Sequence, residues 1–162
     1  PLVAAVNGVA TGAGAAIATA CDFRIASVSA KIAFLFASKV GLCGADMGVS
    51  YLLPRIVGLG RAAEMLMLGE FVGAREAERV GLFHRVVPQK KVLKEAQAWA
   101  RKLAQGPSFA LSMTKDLMNR ELSLDLDAAL KGEARVQAVC MHHPNFREAY
   151  EAFKAKRSPR FI

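Results

Sequence analysis

The sequence predicts an α/β protein, a sheet-and-helix section followed by an all-helical tail. Three observations predict it. The chain opens on an apolar run, Leu2-Val3-Ala4-Ala5-Val6, of small and β-branched residues that suit a strand buried on both faces. That run feeds, past Asn7-Gly8, into a turn almost without side-chain bulk, Thr11-Gly12-Ala13-Gly14, and then into the good helix formers Ala15 to Ala20. From Val92 onward the apolar residues recur at helical spacing instead.

Taken in order, Asp22 to Ala26 reads as a second strand and Lys31 to Phe36 as a third, apolar and partly aromatic. Val40 to Gly48 is a glycine-punctuated loop with a single carboxylate, Asp46, among apolar neighbours. Val49 to Val57 begins as a helix that Pro54 is expected to interrupt, and Gly58-Leu59-Gly60 closes the segment. Arg61 to Leu68 and Ala74 to Val80 are short helices, the second stopped by Gly81. Leu82 to Val87 is extended and ends at Pro88. In the tail, Val92, Ala96, Trp99 and Leu103 mark a helix ended by Gly106-Pro107. Ser108 is expected to cap a second helix running to Leu122. Ser123 starts a third, to about Met141, with Leu126, Ala129, Leu130 and Val136 on one side; Asn145 is expected to cap a fourth, Phe146 to about Arg157. These apolar stripes exceed what one small core absorbs, so some are expected to face another subunit.

The opening turn carries the first chemical hint. A strand entering a helix through residues without side chains leaves the first backbone N–H groups of that helix bare, and such donors attract anions or an oxygen that becomes negative during a reaction. The same small residues also serve a tight packing turn in which backbones approach closely. Both readings stand on the residues alone.

Composition narrows the classes. With 162 residues, 53% of them hydrophobic, the chain can bury one good core. No apolar run is long enough to span a bilayer, and no charged start of a signal peptide is present. The net charge of +8 calls for an anionic ligand, yet the cations are spread along the chain and no nucleic-acid motif accompanies them. A phosphate-bearing small molecule accounts for the charge as well as a polynucleotide does. Cys21, Cys43 and Cys140 are odd in number and far apart, which reads as reduced thiols in the cytoplasm; with His84 isolated and His142-His143 in a surface turn, no metal site is expected. Pro1 begins on a strand already under way, so residues are expected upstream of it.

The segment NGVATGAGAAIATACDFRIA resembles the NGxAxGGGxxLAxxCDxxIA stretch of the crotonase superfamily, the enoyl-CoA hydratase/isomerase proteins. The similarity continues through GADMGVSYLLPRIVGLGRAAEMLMLGEFVGAREAERVGLFHRVVP and ends in FREAYEAFKAKRSPRF. The resemblance implies the C-terminal part of a ββα spiral over residues 1–90 and a helical trimerisation region over 91–162, with the first part of the spiral absent. It implies coenzyme A thioester substrates, no prosthetic group, an enolate-type intermediate, and a homotrimer or dimer of trimers.

On that resemblance Ala13 supplies a backbone N–H to an oxyanion hole beside Gly12, and Phe153, Lys156 and Arg157 approach the coenzyme. The two glutamates of hydratases fall on Ala16 and on Phe36 or Ala37, none of which moves a proton, so two-glutamate water addition is unavailable. Asp46 resembles the aspartate that dienoyl-CoA isomerases use as acid/base and a benzoyl-CoA dehalogenase as nucleophile. An apolar loop would desolvate it, which favours a general base, whereas the same aspartate also serves in a structural turn capping the next helix. The sequence therefore leads to an acyl-CoA enzyme with single-aspartate, isomerase-like chemistry, or to a non-catalytic scaffold of the same fold that binds coenzyme A.

Overall fold

The computed structural model describes residues 1–162, which divide into two compact bodies, Leu2–Trp99 and Ala100–Ile162 with Pro1. In the first body, β1 (Val3–Val6) lies parallel to β3 (Phe23–Ser27), with Val3 opposite Phe23 and Val6 opposite Ala26. On its other side β3 pairs in parallel with β6 (Arg85–Val87). A second sheet holds β2 (Val9–Thr11) parallel to β4 (Lys31–Ala33), which pairs antiparallel with β5 (Val72–Gly73). The chain thus lays β1 in one sheet and β2 in the other, crosses through α1 (Ala13–Ala20), and repeats the pattern with β3 and β4. That winding is the ββα spiral expected from the resemblance.

Phe34, Phe83, Ile25, Ile32, Leu53 and Leu82 are fully buried, each contributing roughly 1.5–3 kcal/mol by leaving water. α1 enters the core on Ala15, Ala16, Ala18 and Thr19, so its backbone packs close. The remaining helices of this body are α2 (Val49–Val57), α3 (Leu59–Met67) and α4 (Ala74–Arg79). α5 (Val92–Ala104) sets Val92 and Ala96 against Ile25 and Val87.

Several local expectations need correcting. Only Ala4 and Val6 of β1 face the main core; Ala5, on the opposite face, is exposed. Thr11, read as the start of the turn, instead ends a strand, Val9–Thr11, and α1 begins at Ala13 rather than Ala15. The third strand stops at Ala33. Phe36–Val40 is a wide turn in which the Gly41 and Leu42 N–H groups both donate to Phe36 O. Pro54 does not interrupt α2; the bond it forfeits is to the carbonyl of Ser50, an exposed residue, so the lost partner is not buried. His84 is not isolated: its Nδ1 accepts the Arg24 N–H at 3.2 Å, and its ring meets Phe23 and Trp99 edge to face. Burial, and then the nearby Arg24 charge, lower its pKa.

The second body contains α6 (Ser108–Glu121), α7 (Leu126–His142) and α8 (Pro144–Lys154). Its caps differ from those expected. Pro107, not Ser108, precedes α6, while α7 starts at Leu126 rather than Ser123, capped by Asp125, which accepts the Ala128 N–H at 2.8 Å. His143 caps α8 through Nδ1, and Asn145 is buried in its first turn, exchanging two hydrogen bonds with Ile162. A side chain that finds a distant backbone partner is not free to cap its own helix.

Candidate active site

Gly12 has φ +51° and ψ −124°, a conformation that a side chain disfavours, and it ends β2 so that α1 starts at once. The helix has no side-chain cap and no acidic residue in its first turn. Gly12 O accepts the Ala16 N–H at 3.0 Å, which closes the first helical turn. The amides of Ala13 and Gly14 donate to no protein acceptor, and both residues are exposed. These are bare donors at the positive end of a helix.

Phe36 stands beside this turn. A methyl group placed on Gly12 would meet its Cζ at 3.6 Å and its Cε1 at 3.9 Å. Ala16 is buried in the core and Ala37 is half-buried, so neither position brings a proton-transfer group to the turn. The resemblance sets Phe36 or Ala37 in the same site as Ala13, and the structure gives the contact: it is Phe36 whose ring meets the space over Gly12.

Asp46 sits in the loop before α2, which Gly44 seats against the Leu66 carbonyl of α3; a Cβ at Gly44 would collide with that oxygen. Met47 (φ +49°) and Gly48 (φ +81°) turn the chain into α2. Asp46 Oδ1 accepts the Met47 N–H at 2.9 Å, and Asp46 O accepts that of Val49 at 3.0 Å. The side chain is exposed, so the desolvation expected of an apolar loop does not arise: the neighbouring Leu42 and Met47 are themselves exposed. Nor does it cap α2, whose cap residue is Gly48.

In the helical body, α8 ends with Lys156 at φ +52°, its N–H donating to Phe153 O (3.1 Å) while the Arg157 N–H donates to Ala152 O (3.0 Å). This 5→2 and 6→1 pair is a Schellman closure with lysine where glycine is usual. Phe153 is exposed. Arg157 makes a two-pronged pair with Glu148, at 2.7 and 3.0 Å, and Glu148 also accepts the Arg160 N–H at 2.6 Å. The Arg157 pair first, then the Arg160 amide, hold the Glu148 carboxyl down to about 2. Arg157 is therefore already neutralised within the chain, and Lys156 is the cation of the two that no such pair engages.

A spiral of paired strands whose helix begins in an amide-bare, side-chain-poor turn defines the fold and its candidate site. The chain belongs to the enoyl-CoA hydratase/isomerase family, in the crotonase superfamily, and matches that family over residues 1–162. It is 40% identical over 161 residues to the 1,2-epoxyphenylacetyl-CoA isomerase of Escherichia coli K12, covering 99% of this chain and 61% of that protein. With the crotonyl-CoA hydratase of Syntrophomonas wolfei it shares 35% identity over 163 residues, 100% of this chain and 62% of that one. A crystal structure from Streptomyces coelicolor A3(2) superposes with a TM-score of 0.97 at 47% identity, over 100% of this chain and 58% of the other. The chain spans about three-fifths of the length of the curated relatives it matches.

Proposed function

We propose that the protein acts on acyl-coenzyme A thioesters and stabilises the enolate of the thioester through the Ala13 N–H. The observation that carries this reading is the exposed, unpartnered Ala13 amide at the start of α1, reached over a glycine. A donor fixed where negative charge gathers is worth about 3–4 kcal/mol of barrier. Gly12 lets the thioester approach the backbone closely.

With alanine at position 16 and no acid at 36 or 37, Asp46 is the group assigned to proton transfer. Its carboxylate takes a proton from an acyl carbon as the electron pair moves onto the thioester oxygen, and returns it to another carbon. Isomerisation of that kind needs one acid/base group, whereas two-carboxylate hydration needs a second. A relative named as an isomerase, the E. coli 1,2-epoxyphenylacetyl-CoA isomerase, is in keeping with isomerisation as the reaction class. Phe153 and Lys156 are assigned to the coenzyme, Lys156 to its phosphates, with Arg157 shaping the segment through Glu148.

The test is turnover of crotonyl-CoA and of 2,5- and 3,5-dienoyl-CoA by the wild type, Ala13→Pro and Asp46→Asn. Proline is tolerated at the first position of a helix and puts a ring methylene in place of the N–H. Ala13→Pro is expected to lower turnover about 100- to 1000-fold. Asp46→Asn is expected to abolish isomerisation while thioester binding persists. An undiminished rate in Ala13→Pro overturns the oxyanion assignment. Binding without turnover in the wild type favours instead a coenzyme A-binding scaffold, the reading that the non-acidic 16, 36 and 37 positions support.

A further inference from the structure

We propose that Phe36 determines acyl specificity: its ring is the wall against which the acyl group lies, so planar conjugated or aromatic acyl groups are preferred to saturated ones. The inference rests on the acyl-CoA reading above and adds the substrate class.

Three observations carry it. The tip of the Phe36 ring touches the space over Gly12, the residue directly before the Ala13 amide. A thioester oxygen bonded to that amide brings its first acyl carbons to the same turn. The turn itself offers no bulk, because a Cβ at Gly14 would meet nothing within 4 Å and Ala16 is buried in the core. Phe36 is thus a large apolar group at this place, and it is only half-buried.

The backbone that carries the ring is anchored. Phe36 O receives two N–H donors, from Gly41 and Leu42, the former at φ +69°. Behind the wide turn lies buried Gly69 (φ +63°), where a Cβ would stand 3.0 Å from Phe34 O and clash with Ser38 Oγ. Glycine at that point lets the wide turn seat closely against its neighbour. A turn whose backbone is anchored before the ligand arrives costs little backbone ordering on binding.

Offset stacking of π systems is worth 0.5–1.5 kcal/mol beyond area burial, so the preference expected from one ring is about 3- to 10-fold in Kd. The experiment is isothermal titration of the full chain with butyryl-CoA, crotonyl-CoA, benzoyl-CoA and coenzyme A itself. Each thioester affinity is divided by that of coenzyme A for the same variant, so a general loss of fold cancels or is seen directly. The wild type is expected to favour crotonyl- and benzoyl-CoA over butyryl-CoA by that factor. Phe36→Tyr should keep the preference, and Phe36→Leu, which keeps apolar volume without a ring, should lose it. Equal affinities in the wild type, a preference that survives in Phe36→Leu, or one lost also in Phe36→Tyr overturns the role of Phe36 and leaves the acyl-CoA reading standing. If neither coenzyme A nor any thioester binds the wild type, both fall.

Discussion

Arg24 shows how much a single buried side chain organises here. Its guanidinium is enclosed and donates to three backbone carbonyls, those of Leu82 (2.6 Å), Thr19 (3.1 Å) and Cys21. The bonds tie the end of α1 and the approach to β6 onto β3. Its own N–H donates to His84 Nδ1, while Arg24 O accepts the His84 N–H at 2.9 Å. A planar fork of donors suits this task and a single ammonium does not. Arg24→Met keeps the apolar stem and leaves these carbonyls without their donor, so denaturant unfolding should show a loss of about 2–3 kcal/mol. A loss within experimental error would mean that water replaces the guanidinium. The sequence offers arginine in an apolar strand, which identifies an unusual residue but none of its acceptors.

Among the elements, α8 and the segment after it form a unit stapled by charge. Glu148 is held by Arg157 and by the Arg160 N–H, and Asn145 binds Ile162 at both ends of its amide, so the terminal residues run back along the helix. Because the Glu148 carboxyl is held down to about 2 from an ordinary 4.5, the folded state favours its ionised form. Its contribution is complete above the ordinary value and is lost as pH falls through the range from about 4.5 to about 2. The difference in stability between wild type and Glu148→Gln, followed by chemical denaturation, should shrink across that range and level off at its acid end. A pH-independent difference would sink the assignment. The helices themselves were legible, because periodicity survives in the sequence. Their caps were not: Asn145 is a cap by residue preference and becomes a bridge only because Ile162 returns to it.

The whole molecule leaves large apolar side chains uncovered in its helical body. Neither α6 nor α7 has a buried residue, and Met118, Leu126, Leu130, Val139 and Met141 are exposed. Surface of this kind marks an interaction face. Sedimentation equilibrium is expected to find a homotrimer or a dimer of trimers, with Leu130→Glu shifting it toward smaller species. A monomer at every concentration would overturn the expectation of assembly.

From motif, the amino-acid sequence specified the family and, through it, the ββα order of the spiral; from local pattern it specified the helical tail and the small-residue turn at Gly12-Ala13. It also determined that positions 16, 36 and 37 carry no acid. Only the tertiary structure decided that the Ala13 amide is free, that Phe36 leans on Gly12, that Asp46 is exposed and that Arg157 is already paired. Each of those is a contact, or the lack of one, across many residues of chain. Residue preference acts over a few positions, whereas burial and pairing depend on which distant segment arrives alongside.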